Sequence, residues 1–191
     1  MFPKRLLIAP VLLLALVANV AAPRNYALDS GASEVQAKVA FFGLSSKSMK
    51  FPKMSGKVQI QPGALERAVI DVTFDATALE APDKTTLERL RGEKFFWVEK
   101  YPTVRFVGKS LKLSSPTKGT LEGNLTARGI TKPQTLKVTF DADPVKSSPG
   151  TPIGFTATTT LDRRQYGMKS YQLVVGNKVD ITMKARMVPQ R

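Results

Sequence analysis

Most reaction chemistries are excluded by what this 191-residue chain lacks. It contains neither Cys nor His, so thiolate nucleophiles, imidazole bases, disulfides and the usual zinc ligands are all absent. Few of the remaining residues have types and spacing suited to chemistry. Ser115-Pro-Thr-Lys118 matches the spacing of a Ser-x-x-Lys nucleophile pair, but it lies in a Pro-containing turn without companion motifs. No Gly-rich phosphate loop is present. Asp71 and Asp75 fall on the polar face of an alternating stretch, where solvation is their default state. Glu93 and Glu99 are the only acids set among aromatic rings. The chain is therefore not expected to be an enzyme, with a hydrolase or isomerase built on such acids as the remaining catalytic alternative.

The densest constellation is apolar instead. Arg91 to Phe106 carries Phe95, Phe96, Tyr101, Phe106 and the chain's single tryptophan, Trp97. The residues just before it predict a short helix: Asp83 as N-cap, Leu87 and Leu90 as a narrow apolar stripe, and Gly92 as a stop. One short helix ending in a knot of rings, in a chain otherwise made of strands, is expected to close something. Laid over the mouth of a barrel, it buries the large apolar area of the rings.

The elements that must position these rings read as strands. Val35, Ala37, Val39 and Phe41 alternate with polar or small residues, as do Ala68, Ile70, Val72, Phe74 and Ala76. The same period of two runs through 120–127, 135–142 and 179–187, and shorter strands are expected over 57–61, 103–113 and 153–161. Strict alternation means antiparallel strands with one wet and one dry face. Turn chemistry separates them at 114–119, 128–133, 149–150 and 176–177. About eight strands without helices to cover the dry face must fold onto themselves, and closure also removes exposed edges. The expected fold class is all-β: one antiparallel eight-stranded barrel closed by one short helical segment. Many inward positions are Ala, Gly or Val, which leaves room inside for an apolar guest; a simply packed core is the alternative.

At the N-terminus, Lys4 and Arg5 precede an apolar run from Leu6 to Val17 and small residues from Ala18 to Ala22. Pro10 interrupts the run, which is short for a bilayer span. Residues 1–22 are read as a signal peptide, with an uncleaved membrane tether as the alternative, and 23–191 as one barrel domain. Export makes the protein periplasmic, and lack of Cys is compatible with an oxidising compartment. The formal charge of +14 favours an anionic neighbour. Lys47, Lys50 and Lys53 form one basic cluster, and Arg163, Arg164 and Lys169 another. Each suits a diphosphate head, an anionic membrane surface, or simply a solvated face. Nucleic acid is not an expected partner, since the rings needed for stacking lie in the closing stretch and on dry strand faces.

Four stretches together resemble the YceI family of periplasmic, lipocalin-like polyisoprenoid-binding proteins. They are Tyr26-Ala-Leu-Asp29 with Ser33-Glu-Val35 and Phe42-Gly-Leu-Ser45; Phe51-Pro-Lys-Met-Ser-Gly56; Leu90-Arg-Gly-Glu-Lys-Phe95-Phe96 continuing to Lys100-Tyr101-Pro102; and Gly123-Asn-Leu-Thr126 with Gly129-Ile-Thr-Lys-Pro-Gln-Thr-Leu136. In this order they span nearly the whole chain after the leader. The resemblance implies a lipocalin-like barrel around a long isoprenoid chain, such as a prenylated quinone or a polyprenyl phosphate, and binding rather than catalysis. No covalently bound cofactor is implied. Where many relatives carry a His, this chain has Phe41-Phe42-Gly43.

The resulting function is an exported binding protein that carries, stores or scavenges an isoprenoid lipid, or serves in stress protection. Its alternative is a filled barrel that partners an envelope or quinone-linked membrane protein, as a monomer or homodimer. Each buried CH₂ contributes about 0.8 kcal/mol, so a dry tunnel needs no special chemistry to hold a tail. Strand parity nominates Val39, Phe41, Ile70, Phe74, Leu125, Phe140 and Phe155 as inward ligand contacts. Phe95, Phe96, Trp97 and Tyr101 are nominated to cap the mouth, with Phe106 beside them.

Overall fold

The computed structural model describes residues 22–190. The signal-peptide reading falls on 1–22, of which 1–21 lie outside the described residues. Ten strand segments and one α-helix follow in order: β1 (Arg24–Leu28), β2 (Glu34–Phe41), β3 (Ser45–Phe51), β4 (Met54–Ile60), β5 (Val69–Asp75), α1 (Lys84–Arg91), β6 (Thr103–Leu113), β7 (Lys118–Ala127), β8 (Ile130–Phe140), β9 (Ile153–Asp162) and β10 (Val175–Pro189). All pairings are antiparallel. The ring β1-β4-β5-β6-β7-β8-β9-β10 closes because β10 pairs back onto β1, with Leu28 opposite Met187. The closed barrel thus has eight strands, the number expected, although β1 is not among the expected runs and the run at 35–41 is β2, which continues its line along β10.

The two extra segments come from two long strands that are each broken in the middle. β1 and β2 lie end to end along β10, separated by a 3₁₀ turn whose backbone N–H groups Asp29 accepts at Gly31 and Ala32. β3 and β4 likewise lie end to end, broken at Pro52, which cannot donate to a ladder. The hairpin β2–β3 therefore stands above the ring as a rim. Its outer strand, Ser-Ser-Lys-Ser-Met-Lys-Phe, turns only Met49 and Phe51 as apolar residues toward the core, too short a run for sequence periodicity to reveal it as a strand.

β8 also begins earlier than its turn chemistry implies. Only Arg128 and Gly129, at φ 52° and 70°, form the two-residue turn; Ile130 onward is strand, and Pro133 lies within it opposite Asn124. The proline is tolerated because β9 joins β8 only from Lys137 to Phe140, leaving Pro133 on a locally free edge.

At one end the barrel is sealed by Tyr26, Ile60, Ile153 and Met187, each about 1% exposed. In the wall, Gly108 faces Gly123 across β6 and β7. The Phe106 ring lies where a Cβ on Gly123 would stand, so the missing side chain makes room for the ring. At the other end, the segment between β5 and β6 folds over the opening. α1 starts as its sequence requires, with the Asp83 carboxylate accepting from the Thr86 backbone N–H at 2.8 Å. Gly92 ends it with φ −71°, an ordinary conformation rather than a left-handed cap.

Candidate functional site: an apolar cavity under the helix

Strand alternation turns one face of every strand inward, and those faces enclose a cavity of about 400 Å³. Val39, Leu125, Leu136, Phe155 and Ile181 are only partly buried although they line it; the surface they keep exposed borders free space rather than neighbouring side chains. The barrel interior is therefore not simply a packed core.

Of the residues nominated from sequence, the cavity brings together Val39, Phe41, Ile70, Phe74, Leu125, Phe140 and Phe155 from the strands. It adds Phe95 and Phe96 from the closing segment and Phe106 from β6. The rings are arranged, not scattered. Phe96 meets Phe51 edge to face at 5.5 Å, and Phe51 approaches Phe74 at 6.3 Å, linking the closing segment to the wall. Phe95 stacks on Tyr171 at 6.0 Å, and Phe140 meets Phe155 at the same separation. Closing rings of this kind exclude water from the space below.

Trp97 and Tyr101 do not line the cavity. Trp97 takes φ 49°, its backbone N–H donates to the Gly92 carbonyl, and its ring packs edge to face against Tyr101 at 5.8 Å. The Lys100 ammonium stands 4.5 Å from the Trp97 ring centroid. Tyr101 lies beside the Arg128-Gly129 turn, 3.0 Å from the point where a Cβ on Gly129 would stand. This half of the aromatic knot clamps the closing segment to the neighbouring hairpin instead of capping the mouth. A left-handed residue in the middle of the run reverses side-chain direction, which ring spacing alone does not report.

Polar lining groups concentrate at the helix end. Lys47, Asp83, Thr86 and Arg89 border the opening, with Lys47 and Asp83 paired at 3.0 Å, tying β3 to the start of α1. Backbone and side-chain hydrogen bonds from Thr86 and Lys47 hold the Asp83 carboxyl at about 2. Arg163 is the residue that sequence reasoning placed least well: in the solvated-face reading it belongs to a surface cluster, yet it is 3% exposed and lines the cavity. Its guanidinium donates to the carbonyls of Met168, Ser170, Val175 and Gly176, and stands 5.9 Å from the Phe95 ring centroid. Burial depresses its pKa. No carboxylate pairs with it among the described residues; the neighbouring Asp162 is taken by Arg164, which holds that carboxyl at about 2. Tyr166, fully buried in the 3₁₀ turn Arg163–Tyr166, also lines the cavity; burial raises the pKa of its hydroxyl, whose polar neighbour is the Gln134 side chain, without a well-formed hydrogen bond between them. Alternation carries no signal for either residue because both lie beyond the end of β9.

The acids do not converge. Asp71 forms a bidentate pair with Arg105 on the outer wall, with contacts of 2.8 and 2.5 Å, and its pKa is lowered by that partner. Asp75 accepts from Thr77 at 2.9 Å. Glu93 and Glu99 are exposed and do not line the cavity. The Ser115 hydroxyl accepts from the backbone N–H of Lys118 in an exposed turn.

The model of the YceI-like domain matches residues 26–187, nearly the whole described barrel. This chain belongs to the YceI-like family. A UPF0312 protein of Pseudomonas putida strain F1 is 29% identical over 156 residues, covering 81% of each chain. Among solved structures, Burkholderia cenocepacia BcnA superposes with a TM-score of 0.73 at 20% identity, over 83% of this chain and 98% of that one. A polyisoprenoid binding domain from Saccharophagus degradans gives 0.66 at 12% identity, over 86% and 98%. At such identities these structures establish the YceI-like barrel as the shared fold.

Proposed function

We propose that this YceI-like barrel is a binding protein for a polyisoprenoid lipid, a prenylated quinone or polyprenyl phosphate, whose tail occupies the cavity beneath α1. The observation that carries the reading is the continuous apolar cavity itself. It is closed by buried side chains at the base and walled mostly by aliphatic and aromatic residues, with Gln134 and Thr159 on the β8–β9 wall and charged groups toward the helix end. That polarity gradient suits an amphiphile with its tail at the base and its head near Arg163 and Tyr166. The Tyr166 hydroxyl beside Gln134 and the buried Arg163 guanidinium, which no carboxylate contacts directly among the described residues, are suited to a head-group oxygen. The polyisoprenoid binding domain of Saccharophagus degradans, with the same fold, supports the choice of guest. Binding without turnover fits the scattered acids, each satisfied by a local partner or solvent. A periplasmic location is proposed with it, supported by the apolar run from Leu6 to Val17, and carriage or storage of lipid in the envelope is the role proposed there.

The test is loading of delipidated protein with prenylquinones of increasing tail length, read as co-elution of the quinone chromophore with the protein on gel filtration. Stoichiometric loading that strengthens with tail length supports the proposal. A protein that excludes every tail, or binds a tail-less quinone equally well, refutes it.

A further inference from the structure

The cavity opens beside two loops that leave large apolar side chains exposed, although the Phe42 ring meets Phe41 edge to face at 4.7 Å. The tip of the β2–β3 hairpin exposes Phe42 by 63% and Leu44 by 97%, and the loop before β10 exposes Leu173 fully. The two loops are joined, because the Phe42 backbone N–H donates to the Val174 carbonyl at 2.8 Å. They also sit at the opening: Phe41, Tyr171 and Val174, their immediate neighbours in sequence, line the cavity. Exposed leucines scattered singly need no explanation, but several such residues on two joined loops at a cavity mouth do.

Cations surround this apolar edge. Lys94 and Arg89 stand 5.3 and 5.9 Å from the Tyr171 ring centroid, and neither has a carboxylate partner among the described residues. Lys47 stands 5.5 Å from the Phe41 ring, although Asp83 neutralises it. The chain as a whole carries +14, and +12 without Lys4 and Arg5 of the leader. We infer that Phe42, Leu44 and Leu173 form a membrane-docking edge that inserts into the interface of an anionic bilayer, with Lys94 and Arg89 over the lipid phosphates, so that the cavity mouth faces the membrane. Apolar side chains flanked by cations are the combination that binds such a surface. The inference rests on the carrier reading for its purpose: a long isoprenoid is insoluble and must pass between bilayer and barrel without crossing water.

The absence of Cys makes the test direct. Leu173→Cys carries an environment-sensitive fluorophore at the mouth; Ser148→Cys carries it in the exposed loop between β8 and β9, at the sealed end. Vesicles of phosphatidylglycerol and phosphatidylethanolamine should shift the Leu173 label to the blue and leave the Ser148 label unchanged. Phosphatidylcholine vesicles or high salt should weaken that shift. Leu44→Ser with Leu173→Ser should keep the wild-type melting temperature, lower vesicle affinity at least tenfold, and slow prenylquinone transfer from vesicles while loading from detergent proceeds as in wild type. Equal response of both labels, or none from Leu173, overturns the inference. A Leu173 shift that depends on protein concentration without vesicles assigns the edge to a second copy and overturns it too. Insertion is read without any guest, so a protein that docks but loads no quinone by either route keeps the docking edge and refutes the carrier reading instead.

Discussion

Leu125→Trp is the substitution that separates a lipid tunnel from a packed core most cleanly. Leu125 faces inward from β7 yet stays only partly buried, so its side chain borders the cavity. The indole adds about six heavy atoms to an interior that has room for them, and overpacking strain should stay near or below the roughly 1 kcal/mol end of its usual range. Those atoms displace about one five-carbon isoprene unit from the cavity. At about 0.8 kcal/mol per buried carbon, the guest loses roughly 4 kcal/mol, close to a thousandfold in Kd. A tail that slides toward the mouth recovers part of this, so a loss of about 30- to 1,000-fold is expected for a guest long enough to fill the cavity. The assay is equilibrium partition of a prenylquinone series between vesicles and protein, with the melting temperature measured in parallel. A guest too short to reach past Leu125 should lose less than about threefold. Undiminished affinity for the longest tail in a folded variant refutes the reasoning, as does an equal loss at every tail length.

Three further outcomes are expected. Gly123→Ala drives a Cβ into the Phe106 ring and the Val107 carbonyl and should cost about 1–3 kcal/mol, read from urea unfolding; an unchanged midpoint refutes the close approach. Arg163→Met leaves the carbonyls of Met168, Ser170, Val175 and Gly176 without their buried donor. It should destabilise by roughly 3 kcal/mol and expose 168–176 to faster amide exchange; protection equal to wild type contradicts that role. Asp162 is held at about 2 by Arg164, below its unfolded value of about 3.9. Its contribution is present above about pH 4 and is lost as pH falls toward about 2, so the melting-temperature gap between wild type and Asp162→Asn should close over that window. A gap that does not change with pH rules this out.

The barrel is legible in the sequence because its walls obey one rule. Residues such as Ile70, Val72 and Phe74 alternate with polar partners, and counting such runs gives the right number of barrel strands while missing β1, whose five residues are too few to show the period. The helix is legible for a different reason, since Asp83 and Gly92 are local signals that need no tertiary context. β3 is hidden because only Met49 and Phe51 at its end carry the apolar alternation, and β8 is partly hidden because Pro133 reads as a turn until the free edge beside it is known. Within the cavity, parity finds Val39 and Phe140 but cannot find Arg163, Tyr166 or Tyr171, which come from loops. Trp97 and Tyr101 share the aromatic run with Phe95 and Phe96, and only the positive φ at Trp97 separates the two pairs.

The most direct measurement is mass spectrometry of the organic extract from protein purified without detergent out of its own host's envelope. A Leu125→Trp preparation serves as the control. A stoichiometric isoprenoid, depleted in the control, is the expected result. An extract empty of isoprenoid, from folded protein that also takes up no added prenylquinone, contradicts the assignment of the cavity to a lipid tail.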